Sequence, residues 1–360
     1  MSTVQETLEP AAALPPAPRR RRNWVVVVVL ALLGLGAAAG SIRVPYYVVA
    51  PGGVLDVRGL VHVTSQAPDD SPGTMDMVTV SIGRATVLRA LQGWLDPDSD
   101  VLHESQVVPP KTTPSQFDKL NQEEMTDSKQ KALAVAFARL GHRTILGDGA
   151  EIESVTAHAP ADGLLGVGDR IVAVDGTKVS LAGDAVAAIG KHRPGDRVTL
   201  SVVAKGAGAP HDVTATLGAQ PKDHTRPLLG VSLQTADFHL DVPQGVDIDS
   251  EDIVGPSAGL AFTLEVLDRL TPGALTGGQR VAATGTIDLD GSVGEIGGIA
   301  QKTVSVRRAG IRLFLVPASE AATARAHAGT HLTIVPVETL DDALAALRAH
   351  GGAPLPATAG

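Results

Sequence analysis

The segment Gly255-Pro256-Ser257-Ala258-Gly259 opens a stretch, Ser257 to Leu270, that is helical in pattern and apolar nearly all round. A helix without a polar face has to be buried, so other structure must enclose it. The flanking glycines permit a sharp turn, and the serine then stands where free amide donors and the positive end of a helix dipole converge. Such a place suits a developing oxyanion. It equally suits a plain N-cap, which serine makes well, and the turn alone does not choose between the two.

The chain contains 0 cysteines, which excludes disulfides, thiolate nucleophiles, iron–sulfur clusters and cysteine-ligated zinc. A protein nucleophile would have to be Ser, Thr or Lys. Aromatic residues make up 2% of the chain and the formal charge is −9, with no long basic stripe beyond the first quarter. Base-stacking platforms and the electrostatic footprint of a nucleic-acid binder are both missing. The histidines show no HExxH or other metal-ligand spacing, so neither a metal nor a cofactor is expected.

A second segment bears on the serine. In Gly294-Glu295-Ile296-Gly297-Gly298-Ile299-Ala300-Gln301-Lys302 and the helix that follows, Lys302 falls on the wheel between Ala309 and Val306, whereas Gln301, Ser305 and Arg308 take the opposite side. A lysine facing the apolar side loses solvation, which lowers its pKa towards that of a neutral general base. The competing reading is a lysine whose stem snorkels along an apolar surface. In a chain without cysteine, Ser257 and Lys302 form a chemically complete pair.

Nearer the amino terminus, Arg19 to Arg22 precede Trp24, five valines and a Leu/Ala/Gly run, and 20 uncharged residues separate Arg22 from Arg43. At about 1.5 Å per residue that is roughly the 30 Å of a hydrocarbon core. The expectation is a disordered cytoplasmic tail over 1–22 and a transmembrane helix over 23–42, with the rest of the chain extracytoplasmic in a single-pass cell-membrane protein. A signal peptide cleaved near Ala37-Ala38-Ala39 competes with it. The GLGAAA spacing at 34–39 lacks a preceding strand and is no dinucleotide site. Residues 44–146 read as an exterior α/β segment with strands up to about Val80 and helices near 84–95 and 114–140.

Residues 147–218 turn β-rich, and the string HAPADGLLGVGDRIVAVDG resembles the core of PDZ domains. That resemblance implies a peptide added as a strand beside about 150–156, with Ile152 and Val155 as binding residues and Gly147-Asp148-Gly149 as a loose carboxylate-loop candidate. A β-domain serving only as a spacer is the alternative.

Over 228–348 the motifs resemble the proteolytic domain of the Lon family: GPSAG at 255–259, Thr284-Gly285, Gly297-Gly298 with Lys302, and Arg307-Arg308-Ala309-Gly310 leading to Pro317. The resemblance implies Ser257 as nucleophile and Lys302 as general base, supported by Thr284, Ala258 and Gly255, and association as a hexamer. Two positions depart from it. Val254 replaces an Asp three residues before the serine, with Asp252 two residues earlier, and Thr286 replaces a Glu two residues after the motif threonine. No Walker A motif occurs in the chain.

The expected fold class is α+β multidomain: a single N-terminal transmembrane helix, a PDZ-like β-rich domain, a Lon-type α/β proteolytic domain and a flexible tail at 349–360. The expected function is that of an ATP-independent membrane-anchored serine endopeptidase acting on protein or peptide substrates. A non-catalytic PDZ scaffold and a GxSxG esterase are the alternatives. The esterase would draw on Asp288 or Asp290 and on His327, His331 or His350.

Overall fold

The structure is a computed structural model that describes residues 20–64, 72–109, 112–221, 223–250 and 253–356. Most of the expected tail over 1–22, the turn at Pro68-Asp69-Asp70, Asp252 and the last four residues of the 349–360 tail lie outside the described residues. In chain order the elements are α1 (Arg20–Ser41), β1 (Arg43–Asp56), β2 (Val61–Val63), β3 (Thr74–Thr86), α2 (Val87–Leu95), β4 (Asp100–His103), α3 (Glu104–Val107) and α4 (Pro114–Arg139). Next come β5 (Ile145–Leu146), β6 (Ala150–Val155), β7 (Arg170–Val174), β8 (Thr177–Lys178), α5 (Ala182–Ile189), β9 (Arg197–Val203) and β10 (His211–Thr216). After β11 (Gly218–Ala219) and β12 (Pro227–Leu228) follow β13 (Val231–Thr235), β14 (His239–Leu240), β15 (Val246–Ile248) and α6 (Gly259–Leu270). The chain ends with β16 (Arg280–Ala283), β17 (Thr286–Ile287), β18 (Val293–Gly294), α7 (Ile299–Arg308), β19 (Leu313–Pro317), α8 (Ala321–His327), β20 (Thr333–Val337) and α9 (Leu340–Ala349).

Helix α1 occupies the segment expected to cross a membrane, and that expectation is overturned. Among the described residues no helix is long and apolar enough for a crossing. The large apolar residues from Trp24 to Leu35, interrupted by Ala31 and Gly34, give way to Gly36, Ala37, Ala38, Ala39, Gly40 and Ser41. The strongly apolar run thus falls short of the about 20 residues that a bilayer core demands. The fold class is corrected accordingly, to an α+β multidomain chain without the transmembrane helix.

The chain divides into two compact units, residues 1–51 with 80–112, and residues 52–79 with 113–360. In the smaller unit β1 and β4 pair antiparallel from Tyr46↔His103 to Val49↔Asp100, over a small core of Val48, Ala85 and Ala90. Thr86 starts α2 by accepting the Arg89 N–H with its hydroxyl.

In the larger unit β20, β19, β16 and β3 lie side by side, all pairings parallel. Parallel strands are covered on both faces, which is why Leu313–Pro317 is buried at every position. Asp76 in β3, wholly buried, takes a two-pronged ion pair from Arg280 in β16 at 2.8 and 3.0 Å. Helix α4 begins with Pro114 behind a Thr113–Gln116 capping box. Its Met125, Ala132, Val135 and Ala136 share one core with Leu260, Leu264 and Leu267 of α6 and with Val57, Val61, Met75 and Met77. Much of the segment expected as a separate exterior piece therefore helps to enclose α6.

The β-rich insert has its own core and a sheet in the order β10-β9-β7-β6-β13. Strand β13 pairs with β6 from Val231↔Val155 to Thr235↔Ala150, with a bulge after Ser232. Strand β13, from the stretch expected to open the following domain, thus forms the edge of this sheet.

Candidate active site

The nucleophile turn is held from several sides. Gly255 sits at φ 92, a conformation that favours glycine, and its N–H reaches Asn121 O of α4 at 3.1 Å. Pro256-Ser257-Ala258 make one 3₁₀ turn, where the missing proline N–H costs nothing, and α6 follows at Gly259. Ser128 Oγ of α4 donates to Pro256 O at 3.1 Å. A Cβ on Gly259 would stand 3.0 Å from both Ile287 and Ser128, so any side chain there would make these neighbours give by a few tenths of an ångström. Ser257 O accepts Gly285 N–H at 3.0 Å and Thr284 Oγ1 at 3.2 Å, which fixes the half-buried serine against the turn after β16.

Lys302 arrives from α7. Gly298, at φ 70, supplies the left-handed turn into this helix, and Lys302 lies one turn further on, 1% exposed. Its Nζ donates to Ser257 Oγ at 2.7 Å and to Thr284 Oγ1 at 3.0 Å. Burial lowers the lysine pKa from 10.5 to about 7, and the Glu320 carboxylate opposes part of that fall. A nearly neutral amine in contact with a serine hydroxyl can act as its base. The opposite side of α7 is not solvent: Gln301 and Ser305 are buried too, and Ser305 Oγ donates to Gly52 O at 3.2 Å.

Ser257, Lys302, Thr284, Ala258 and Gly255 therefore meet at one place. Val254 beside them is exposed, and Thr286 lies in the β17–β18 ladder opposite Gly294. His327 at the end of α8 and His350 just past α9 instead direct ring nitrogens to Thr323 O and Ala346 O. Ser128, Asn121 and Glu320 had no signal in the sequence, because each touches the site through a contact distant along the chain.

In the β-rich domain Ile152 is fully buried, and Val155 is paired with Val231, so β6 lies between two neighbouring strands. The amides of Asp148 and Gly149 are bonded to Ala236 O and Ser180 O and do not face a ligand. A groove of about 250 Å³ opens elsewhere, between α5 and β13, lined by Val186, Ile189, His192, Leu229, Val231 and Leu233.

Comparison with known proteins matches two parts of the chain. Residues 222–349 match the model of the Lon protease (S16) C-terminal proteolytic domain, and residues 124–214 match that of the PDZ domain. Lon protease of Neorickettsia sennetsu is 34% identical over 125 residues, 34% of this chain and 14% of that protein. Lon protease of Xanthomonas oryzae pv. oryzae is 36% identical over 115 residues, 31% of this chain and 13% of that protein. The chain thus aligns with only a small part of the length of these relatives. Among solved structures, the PDZ domain of an SdrC-like protein from Listeria monocytogenes matches with 26% identity, covering 24% of this chain and 87% of that one, at TM-score 0.22. Residues 222–349, which carry Ser257, Thr284 and Lys302, are thus similar to the proteolytic domain of Lon proteases. The PDZ match runs from the second half of α4 into β10 and precedes the turn that carries Ser257.

Proposed function

We propose that the chain hydrolyses peptide bonds by a Ser257–Lys302 dyad without ATP. The observation that carries this reading is the 2.7 Å contact of a fully buried lysine with the hydroxyl of a serine at a helix start. Neutral Lys302 takes the Ser257 proton as Oγ attacks the carbonyl. Amides at the start of the turn and α6, at Ser257 and Ala258, receive the developing oxyanion. The lysine then returns the proton to the leaving amine, and water, deprotonated by the same lysine, releases the acyl group. Thr284 holds the amine in line through its hydroxyl.

The PDZ domain delivers the substrate. Its groove between α5 and β13 is open to an extended peptide, which would add to the free side of β13 and place an apolar side chain among Ile189, Leu229 and Leu233. Substrates are flexible or already unfolded chains, because no Walker A motif is present here to couple ATP to unfolding.

The deciding experiment compares Ser257→Ala and Lys302→Ala with the unchanged chain on an unfolded protein, with and without ATP. Each substitution is expected to lower turnover by about 10³-fold or more with the circular dichroism unchanged, and ATP to have no effect. Undiminished cleavage by either variant eliminates the dyad.

A further inference from the structure

One carboxylate bonds to the turn that starts the Lys302 helix and has no part in the mechanism above. Glu320 ends the short 3₁₀ turn that follows β19, and its Oε2 accepts the Ile296 N–H at 3.0 Å. Ile296-Gly297-Gly298 is the turn from which α7 starts, and Lys302 N–H donates back to Gly298 O at 2.9 Å. The same β19 supplies Leu315 O to the Thr284 N–H at 3.1 Å. Strand β19 and the turn after it thus hold, from two points, both the hydroxyl that receives Lys302 Nζ and the start of the helix that carries it.

The electrostatics single out the same residue. Lys302 faces two hydroxyls, Ser257 and Thr284, and among the described residues the one charge that acts on it is Glu320. Glu320 in turn feels Glu295 and Lys302, and its pKa is raised, by burial first, with the Ile296 hydrogen bond opposing the rise and Glu295 adding to it. Half-buried, it acts on the amine through less water than a surface carboxylate would.

We propose, resting on the dyad reading, that Glu320 is a positioning residue that sets the pH threshold of the Ser257–Lys302 pair. Its negative charge favours the ammonium form of Lys302, and its hydrogen bond to Ile296 steadies the start of α7. Glu320→Gln keeps an acceptor for Ile296 and removes only the charge; Glu320→Ala removes both.

The test is the pH dependence of kcat/KM for an unfolded peptide, measured on the whole chain. In Glu320→Gln the acidic limb is expected to move down by about 1 pH unit, so that activity near pH 6 rises several-fold relative to that at pH 8. Glu320→Ala should show the same displacement together with a lower kcat. A titration of Lys302 followed by NMR on ¹³C-lysine protein should move with the limb. If Ser257→Ala is inactive and neither Glu320 variant moves the limb or the titration, this inference fails and the dyad stands. If Ser257→Ala keeps its turnover, the dyad reading fails and this inference with it.

Discussion

Helices α6 and α7 belong to one domain, and each buries an ionisable side chain: Glu265 in α6, fully buried, and Lys302 in α7, 1% exposed. Burial drives both towards neutrality. Glu265 is raised to about 8, by desolvation first and by Asp268 second, and Lys302 is lowered to about 7. Their surroundings differ. Lys302 Nζ meets two hydroxyls within 3.0 Å, one of them on a residue at a helix start. Neither oxygen of Glu265 has a hydrogen-bond partner among the described residues. A perturbed acid or base is therefore first of all a product of burial, and what sets Lys302 apart is the serine oxygen within its reach.

The sharpest way to break this contrast is to remove each group and read both activity and fold. Lys302→Met keeps a similar volume in an apolar setting and should abolish turnover, by about 10³-fold or more, while the protein remains folded by circular dichroism. Glu265→Gln should leave kcat/KM within about twofold of the original. A comparable loss of turnover in both variants would mean that the core, and not the dyad, is being measured.

Stability gives the next largest effect, with opposite signs for the two groups. Glu265 has a folded pKa above its ordinary 4.5, so its contribution is full below pH 4.5 and is lost as pH rises towards about 8. Between those values the unfolded chain has released a proton that the folded chain still holds. Relative to Glu265→Gln, the unchanged protein should lose on the order of 4 kcal/mol of unfolding free energy over that window. For Lys302 the folded pKa is depressed, so stability rises with pH from about 7 to 10.5, and Lys302→Met should flatten that rise. Urea denaturation at a series of pH values measures both slopes, and parallel slopes in variant and parent would refute the assignment.

Smaller still is the effect of the second hydroxyl. Thr284→Val keeps the shape of the side chain and removes the group that accepts from Lys302 Nζ and donates to Ser257 O. The expected outcome is a kcat lower by about 10- to 100-fold with little change in KM, since the loss falls on alignment and not on substrate contacts. A change confined to KM would assign Thr284 to substrate binding.

The asymmetry between the two helices also explains what could be seen in the sequence. Lys302 was legible because α7 has a pattern, and the wheel places the lysine between Ala309 and Val306. The same wheel puts Gln301 and Ser305 on the polar side, whereas both are buried and Ser305 meets Gly52 of β1, a neighbour that no local periodicity reveals. Glu265 carried a readable signal, an acid in the middle of a helix apolar all round, but the partners that would give it meaning come from elsewhere in the chain. Strand pairing was the least legible feature. Val231–Thr235 reads equally well as the start of the proteolytic domain, and only its ladder with β6 assigns it to the PDZ sheet. The segment over 23–42 misled by its lack of charge, since the small residues after Leu35 shorten the strongly apolar run.

The smallest expected effect tests how α6 is anchored at its serine end. Ser128 Oγ donates to Pro256 O at 3.1 Å, and Asn121 O receives the Gly255 N–H, so α4 grips the two residues before the nucleophile. Ser128→Ala removes one of these bonds and leaves a carbonyl without that donor, at a cost of about 1 kcal/mol in unfolding free energy. Because the Gly285 N–H and Thr284 still hold Ser257 O, the serine should stay within reach of Lys302, and kcat should fall by less than about tenfold. A stability loss of this size with kcat preserved would show that the grip of α4 serves the fold. A kcat loss approaching that of Thr284→Val would show instead that α4 aligns the nucleophile, and since α4 leads directly into the PDZ domain, it would then be the element through which groove and dyad communicate.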